Sequence, residues 1–339
     1  MKRLIVIIIG SFFALNCPAD THYVTTNGSS INPYTTWETA GTSIIDVVNA
    51  AMTNTADRLV WVSNGTYYLT NQVSITNVLT LKSVNGHALT IVDGNNPPGK
   101  LVSNRCFFIS AAAVLDGFTV QNGVGEGGGI RAYTDPIIQN CRITQNRSLN
   151  NGGGLNMTSR AILRNSIVDN NIAAARGGGL YGQDLSLINC TFVSNTCLAN
   201  QGGGMRIDCP VDTTARLENV VSYFNQANGG SSSNFTFYTG AVGTGLYYIA
   251  NCCIAPTSSF PGGGNRYYYT NNIQSNPQFI DKDAGNWRLQ WASPCVNTGT
   301  NEDWMRNAVD LDGKTRLRYG TVDMGAYECI WGGSLYRFH

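Results

Sequence analysis

The sequence has little charge and almost no histidine. Only 13% of its 339 residues are Asp, Glu, Lys or Arg, and the formal net charge is +1. Nucleic acids and anionic membranes bind proteins through basic surfaces, so this composition argues against both as partners. The three histidines, His22, His87 and His339, are far apart in the chain. What the sequence does have is 38 glycines and many Asn and Thr residues, which suits β-structure exposed outside a cell.

Long apolar segments are absent after the first fifteen residues. Lys2 and Arg3 precede an apolar run at Leu4–Leu15, and Ala19 offers a small residue for cleavage. This is the layout of a secretory signal peptide, and the run is too short to span a bilayer. We predict cleavage after Ala19 rather than lipidation of Cys17. The expected location is the exterior or surface of a bacterial cell, with no transmembrane segment after signal removal.

A 25-residue repeat is the strongest pattern in the chain. Triple glycines occur at 127–129, 152–154, 177–179 and 202–204. Pairs of asparagines six positions apart recur in step with them, at Asn140 and Asn146, Asn165 and Asn171, Asn189 and Asn195, and Asn219 and Asn225. So short a unit cannot bury its own apolar face, whereas stacked turns of parallel strands can. The sequence therefore predicts an all-β fold, a right-handed parallel β-helix.

Stacking explains the repeated residue types. Glycine at one point of every turn indicates a corner with positive φ or a close backbone approach. Asparagine tolerates the left-handed region, and its amide can bond to the same amide one turn away. Nine cysteines remain after signal cleavage, without the Cys-x-x-Cys spacing of a zinc or redox site. Cys141 and Cys190 share a column with Ser166 and stand roughly 10 Å apart, too far for a disulfide.

The chain divides at changes in this pattern. Apolar spacing predicts a helix at about 43–53, capped by Ser43 or Thr42, which would close the N-terminal end of the β-helix. From Leu59 there is room for about eight turns, a rod roughly 35–40 Å long. The expected parts are a signal peptide at 1–19, an N-terminal cap at 20–58, the β-helix at 59–270, a small C-terminal module at 271–329 and a tail at 330–339.

Several segments resemble known families. LVWVSNGTY at 59–67 and LTIVDG at 89–94 resemble the opening turns of pectin-lyase-like β-helix proteins. FVSN at 192–195 and GGL at 178–180 resemble the repeats of polymorphic outer-membrane proteins. The C-terminal part resembles the choice-of-anchor Q domain of bacterial surface proteins through NPQFID at 276–281, WRL at 287–289, SPCVN at 293–297, DLDG at 310–313 and GTVDMGAYE at 320–328.

The resemblance to surface proteins has two departures. Only eleven residues follow Glu328, without the sorting tail that choice-of-anchor proteins commonly carry. The membrane barrel that ends autotransporter-type relatives is also missing. The expectation is that the protein is released, or that something outside this sequence tethers it.

Enzymatic cleavage of a polysaccharide needs a cluster of catalytic side chains, and the repeat does not predict one. Polysaccharide hydrolysis uses convergent carboxylates, one of them a general acid, and carboxylates about 5–9 Å apart in one groove would favour it. The acidic residues of the repeat do not recur in one column; they are Asp93, Asp116, Glu126, Asp135, Asp169, Asp184, Asp208, Asp212 and Glu218. Catalytic residues are therefore left unknown, and no metal or other cofactor is expected.

Three further groups are candidates for ligand binding. A polar column precedes the glycine triplets, at Glu126, Asn151, Arg176 and Gln201. Asp310, Asp312 and Gly313 could form a calcium loop, although the ligand set is incomplete and a turn is favoured. Three tryptophans could stack on sugars or form the core with which the module docks on the last turn, Trp287, Trp291 and Trp304.

The sequence favours an exported, non-catalytic surface or secreted protein that binds a glycan, matrix component or protein partner, as an adhesin does. The alternative is a polysaccharide lyase or glycoside hydrolase of the pectin-lyase-like superfamily. A structural layer component that assembles through its ends is a third hypothesis.

Overall fold

The computed structural model describes residues 20–53, 58–96, 103–228, 233–237, 245–255, 266–318 and 320–329. The predicted signal peptide, its cleavage site and the tail at 330–339, with His339, lie outside the described residues. The chain is an all-β, right-handed parallel β-helix with an N-terminal helix and a small antiparallel C-terminal sheet, as the repeat predicts. Among the described residues, no helix is long and apolar enough to cross a membrane.

Four parallel sheets run along the rod. The ten-stranded sheet consists of Asp20–Val24, Arg58–Val62, Thr80–Ser83, Val114–Asp116, Ile137–Gln139, Ala161–Arg164, Leu185–Ile188, Thr214–Glu218, Leu246–Ala250 and Arg266–Thr270. The eight-stranded sheet consists of Gly65–Tyr68, Thr90–Asp93, Thr119–Gln121, Arg142–Thr144, Ile167–Asp169, Thr191–Val193, Val221–Tyr223 and Cys253–Ile254. The seven-stranded sheet consists of Val73–Ile75, Phe107–Ile109, Ile130–Ala132, Leu155–Met157, Leu180–Gln183, Met205–Asp208 and Phe235–Phe237. The four-stranded sheet consists of Arg147–Ser148, Ile172–Ala173, Thr196–Cys197 and Gln226–Ala227.

Each turn visits the sheets in the same order. The chain passes from the ten-stranded to the eight-stranded and then to the seven-stranded sheet, and in the three turns that begin at Ile137, Ala161 and Leu185 it crosses the four-stranded sheet and a glycine triplet on the way. The register reproduces the sequence period, since Ile130 pairs with Leu155 and Leu155 with Leu180. Inward side chains from successive turns form one continuous apolar core.

The two asparagines of each repeat have different roles. The first occupies the left-handed region at the corner after the ten-stranded sheet, with φ of 54° at Asn140 and 49° at Asn165. This confirms the expectation for the first asparagine. At the second corner, the left-handed residue precedes the asparagine, as at Gln145 and Asn170. The second asparagine is instead buried inside the turn, so it is an interior residue and not a left-handed corner.

The buried asparagines bond to one another along the rod. Asn146 donates from Nδ2 to Oδ1 of Asn171 at 3.1 Å, and Asn171 donates likewise to Asn195 at 3.0 Å. The ladder continues to Asn225 at 2.9 Å. The same Oδ1 atoms accept the backbone N–H of the preceding asparagine, as Asn171 does from Asn146 at 3.0 Å. Each amide therefore satisfies buried polar groups that the corner would otherwise leave unpaired.

The glycine triplets follow from backbone crowding. The first glycine of a triplet has positive φ, 63° at Gly152, which disfavours other residues. At the second position, a Cβ on Gly153 would lie 2.2 Å from the carbonyl oxygen of Gly178 in the next turn. The corner predicted for these glycines is confirmed, with both positive φ and close approach in the same triplet.

A helix at Ile44–Ala51 lies against the first strands of the rod. Ser43 caps it by accepting the Asp46 backbone N–H at 3.2 Å, and Val47 and Val48 are fully buried. The predicted helix and its cap are confirmed. The ten-stranded sheet begins earlier than expected, because Asp20–Val24 pairs in parallel with Arg58–Val62, inside the region expected to be only a cap.

The C-terminal module covers the side of the rod. It contains an antiparallel pair, Phe279–Asp281 and Asn286–Leu289, and a short 3-10 helix at Asp303–Asn307. The apolar residues of the module pack on the outer face of the eight-stranded sheet. The module contributes Phe279, Trp287, Leu289, Met324 and Tyr327, and the sheet contributes Ile167, Val193, Val221 and Cys253. Those four residues belong to four successive turns, so the expectation that the module docks on the last turn alone was wrong.

Candidate functional site

The corner asparagines hold the module against the rod. Each donates from Nδ2 to a module carbonyl: Asn165 to Val309 at 2.7 Å, Asn189 to Asp323 at 3.2 Å, Asn219 to Thr300 at 2.9 Å and Asn251 to Thr298 at 2.9 Å. The left-handed corner turns these side chains outward, where neighbouring corners also bond to each other, as Asn219 does by donating to Oδ1 of Asn189 at 3.1 Å. The module therefore binds along the same column that shapes the turns.

The conspicuous C-terminal motifs stabilise this docking. Arg316 is fully buried and donates to Oε1 of Glu328 at 2.8 Å, to the carbonyl of Ala326 at 3.0 Å and to Oδ1 of Asn165. A buried guanidinium needs such partners, because an unpaired charge away from water is costly. The GTVDMGAYE motif is thus explained by packing and hydrogen bonding against the rod.

The candidate calcium loop has its carboxylates already bonded. Oδ1 of Asp310 accepts the backbone N–H groups of Asp312 and Lys314, at 2.9 and 2.8 Å. Asp312 accepts a hydrogen bond from Nε of Arg288 at 2.6 Å, and its Oδ2 lies 3.1 Å from Nζ of Lys314. In the part of the chain that the structure describes, no three His, Cys, Asp or Glu side chains are arranged to hold a metal ion. The loop serves as a turn with an ion pair.

The repeat-borne carboxylates mostly form separate ion pairs. Asp135 pairs with Arg160, Asp169 with Arg142, and Asp208 with Arg206. Asp93 accepts from Gln121 and Asn122, and Asp184 from the backbone of Thr214. Asp212 is exposed in a loop. These residues lie on different faces, so the structure does not bring them into one cluster.

The polar column before the glycine triplets contacts the outer face of the seven-stranded sheet. Glu126 pairs with Arg131 at 2.9 Å, Arg176 lies over the Tyr181 ring at 6.0 Å, and Gln201 accepts from Arg206. The fourth member, Asn151, has a buried Oδ1 without a hydrogen-bond partner among the described residues. The column thus interacts mainly within its own face.

Two of the histidines are described, and they are apart. His22 is fully buried, with Nδ1 2.6 Å from the Pro33 carbonyl and Nε2 2.9 Å from Asp20. His87 lies near Arg142, and burial together with that charge lowers its pKa to about 4. The acid partner of His22 is Asp20, but this histidine is fully buried at the start of the rod.

A continuous series of polar contacts does run along the outer face of the ten-stranded sheet. Lys82 lies over the Trp61 ring at 5.5 Å and pairs with Asp116 at 3.3 Å. Gln139 donates to Asp116 at 3.0 Å and accepts from Nε of Arg164 at 2.8 Å. We call the outward residues of this series the polar track: Trp61, Lys82, Asp116, Gln139, Arg164, Arg216, Glu218, Glu302 and Trp304.

The module supplies the next part of the track. At the following strand the outward residue is Ile188, which the module buries with Met305 and Val322. Trp304 stands beside this contact, with the Arg164 guanidinium 4.9 Å from its ring centre. Its Nε1 donates to Oε2 of Glu302 at 2.8 Å. The track therefore crosses from the sheet onto the module without a break.

Two carboxyl groups meet at the end of this crossing. Arg216 donates to Oε2 of Glu218 at 2.8 Å and from the same nitrogen to Oε1 of Glu302 at 2.8 Å. The two carboxyl groups are therefore neighbours that share one Arg216 nitrogen. The next residue, Asn219, holds the backbone of Thr300 through its Oδ1 at 2.7 Å. Corner docking thus brings the segment carrying Glu302 to Glu218.

The proton affinity of Glu218 is altered by this environment. Burial raises its pKa, the hydrogen bond with Glu302 raises it further, and Arg216 opposes both, so that the pKa is about 7. Glu218 therefore exchanges its proton near neutral pH, unlike an ordinary surface carboxylate. A carboxyl in this state can donate a hydrogen bond or a proton as well as accept one.

Aromatic rings extend the track beyond Glu218. Tyr248 and Tyr268 stack with ring centres 4.6 Å apart and an interplanar angle of 2°, and Tyr268 is 49% exposed. Of the three predicted tryptophans, Trp304 belongs to the track, Trp287 is buried in the module core and Trp291 is 70% exposed elsewhere on the module. Flat exposed rings next to hydrogen-bonding groups are able to bind a sugar face.

Part of this site could be predicted from the sequence. Asp116 and Glu218 are among the scattered acids and Trp304 is among the tryptophans, whereas Lys82, Gln139, Arg164, Arg216 and Glu302 were not predicted. The available signal was the alternation within the strands of the ten-stranded sheet, where outward positions carry polar or aromatic residues in register. Glu302 has no such signal, because only the docking of the module places it there.

Comparisons with known proteins support the fold. No protein-family model and no curated protein match the sequence. Among solved structures, the chain is similar to the pectate lyase Pel9A, with 16% identity, a TM-score of 0.51 and coverage of 91% of this chain and 96% of that one. It is also similar to a pectin methylesterase from Aspergillus niger, with 14% identity, a TM-score of 0.46 and coverage of 76% and 86%. At these identities the likeness to Pel9A establishes that the chain has the pectin-lyase-like parallel β-helix fold.

Proposed function

We propose that this protein is an exported, non-catalytic glycan-binding protein, adhesin-like in function, whose ligand lies along the polar track. The observation that carries the proposal is the continuity of the track from Trp61 to Glu218. It spans six strand spacings of about 4.8 Å, or roughly 29 Å, and the Tyr248–Tyr268 stack extends it.

The chemistry of the track suits a hydroxyl-rich polymer. Its charged groups are arranged in pairs, such as Lys82 with Asp116 and Arg216 with Glu218, so that donors and acceptors alternate without a net charge. Sugar hydroxyls both donate and accept, and the rings of Trp61, Trp304 and Tyr268 can pack on the apolar faces of sugars. One strand spacing is comparable with the length of one pyranose unit, which allows successive sugars to meet successive turns.

The two ends of the chain have separate roles in this function. Residues 1–19 would direct export from a bacterial cell, and 271–329 would be a distinct module related to the choice-of-anchor Q domain. The module would complete the binding track with Glu302 and Trp304 as well as shielding the flank of the rod. The partner is therefore a polysaccharide or another glycan-bearing surface or matrix component.

Binding to a glycan array tests the proposal. The mature chain should bind at least one glycan class, neutral polymers and pectate or other uronate polymers being included among the probes. Trp304→Ala should weaken binding to that class at least tenfold, because it removes the ring and the donor to Glu302. Trp291→Ala is the matched control and should leave affinity unchanged. Equal loss in both variants, or no binding to any glycan, would contradict the proposal.

A polysaccharide-cleaving enzyme is the second candidate, and Glu218 is the observation that favours it. A carboxyl with a pKa of about 7 is suited to act as a general acid. The shared Arg216 argues the other way, because it holds Glu218 and Glu302 in one ion-pair network, whereas hydrolysis uses two carboxyls that flank the scissile bond about 5–9.5 Å apart. Release of reducing ends or unsaturated uronates by the wild type, abolished in Glu218→Gln, would establish the enzyme in place of the non-catalytic function.

A further inference from the structure

Two cysteines meet where the module covers the last turns of the rod. Cys253 lies on the final strand of the eight-stranded sheet, paired with Val221, and its side chain is directed toward the module. Cys295 belongs to the module, in a segment held by the Ser293 hydroxyl at 3.1 Å and by the Met324 backbone N–H at 2.9 Å. Both cysteines are fully buried and belong to one apolar cluster between the module and the rod, where the Cys253 thiol also donates to the Ser275 carbonyl at 3.2 Å.

We propose that Cys253 and Cys295 form a disulfide that fastens the C-terminal module to the rod. The two cysteines lie on separately fixed segments within one buried cluster, so a bond between them would tie the module to the rod. The bond would close a loop that includes both the end of the rod and the start of the module. This inference does not depend on the proposed glycan binding.

The other cysteines do not meet in this way. Cys252, the neighbour of Cys253, is turned inward, where its Sγ accepts the Val220 backbone N–H at 3.4 Å. Cys141 and Cys190 share a column with it, but Ser166 and Val220 occupy the intervening turns. The alternation of side chains along the chain thus separates adjacent cysteines into one core residue and one residue at the docking surface.

The reaction is thiol–disulfide exchange with a disulfide oxidant. A thiolate of the pair attacks the oxidant, forming a mixed disulfide and releasing one oxidant thiol. The second thiolate then attacks the mixed disulfide, forms the Cys253–Cys295 bond and releases the second oxidant thiol. Two electrons pass to the oxidant, whose two thiols take up the two protons.

Burial sets the timing of this reaction. The contact with Cys295 and burial raise the pKa of Cys253, so the reactive thiolate is scarce once the module has docked. The bond should therefore form while the chain folds, before water is excluded from the pair. Once formed, it is shielded from reductants by the same apolar residues.

Peptide mapping tests the proposal directly. The full chain is refolded in a glutathione redox buffer, alkylated under denaturing conditions and digested with trypsin. We expect a linked pair of peptides, 217–266 and 289–306, and the loss of two titratable thiols per chain. Cys252→Ser should keep the link and Cys253→Ser should abolish it, which assigns the bond because both cysteines lie in one peptide.

A stability measurement provides an independent readout. Reduction should lower the thermal midpoint of the wild type by roughly 5 °C, as expected when a loop of about forty residues is released in a chain of this size. The same treatment should leave the midpoint of Cys253→Ser unchanged. A folded wild type with all of its thiols free, or a link made through Cys252 or Cys329, would overturn the proposal.

Discussion

Removal of one buried amide should destabilise the whole rod. Asn171 is fully buried and makes five side-chain hydrogen bonds. Its Oδ1 accepts the backbone N–H and the Nδ2 of Asn146, at 3.0 and 3.1 Å. Its Nδ2 donates to the carbonyls of Ile143 and Asp169, both at 2.9 Å, and to Oδ1 of Asn195 at 3.0 Å. Substitution by alanine removes the amide, while the five groups that bond to it stay buried inside the turn without this partner.

The magnitude follows from these partners. A typical hydrogen bond contributes about 1 kcal/mol net, and a buried group left unpaired costs about 1–3 kcal/mol. Water entering the space left by the amide can satisfy some of the groups, so we expect Asn171→Ala to lower the free energy of unfolding by about 4 kcal/mol. Urea denaturation followed by circular dichroism measures the change. Asn150→Ala, at an exposed position of the preceding turn, is the control and should cost less than about 0.5 kcal/mol.

An aspartate at the same position separates the two halves of the amide. Asn171→Asp keeps the acceptor but replaces the donor with an oxygen that faces three other oxygens. It should destabilise at least as much as alanine at neutral pH and recover in acid, where a protonated carboxyl can donate one bond. A loss below about 1 kcal/mol in Asn171→Ala, or equal losses in Asn171→Ala and Asn150→Ala, would refute the view that the ladder stabilises the stack.

Three further variants test other parts of the structure. The folded pKa of Glu218 is about 7 and its ordinary value is 4.5, so the wild type should lose stability as pH rises from about 4.5 to 7. In Glu218→Gln this loss of stability should be smaller by about 1–2 kcal/mol after solvent screening is allowed for. Identical pH profiles of stability in the two proteins would contradict this expectation. Gly153→Ala should cost several kcal/mol in denaturation because its Cβ would meet backbone, whereas Gly285→Ala, in open space, should cost only about 1 kcal/mol for its positive φ. Asn219→Ala should raise hydrogen exchange of the Thr300 amide at least tenfold, and unchanged protection would show that this bond does not hold the module.

The rod could be predicted from the sequence because its constraints repeat within each turn. Gly153 has no room for a side chain and Asn165 occupies a left-handed corner, so the same residue types recur at a fixed spacing. The cap was equally predictable, since Ser43 acts on a helix that begins at the next residue. For Asn171 the amide ladder was predicted correctly, but its position was not: the residue type is the same at corner and interior sites, and the left-handed residue is Asn170.

The candidate site could be predicted only in part. Residues such as Arg164 become neighbours of Gln139 through strand register, which the period supplies once the strands are known. Glu218 and Glu302 become neighbours only through the docking of the module. That docking uses asparagines whose presence in the sequence is already accounted for by the left-handed corners of the repeat. A residue with two roles gives one signal in the sequence, so the second role became visible only in the folded chain.

The docking of the module along four turns also constrains how the protein can change in length. Its carbonyl groups meet asparagines from Asn165 to Asn251, so the spacing of those turns must match the spacing of the module backbone. Insertion of a whole turn within this interval would move the asparagines on one side of it out of reach by about 4.8 Å. An added turn ahead of Asn140 would preserve every such contact. Natural variation in rod length should therefore accumulate at the N-terminal end, beyond the part that the module spans.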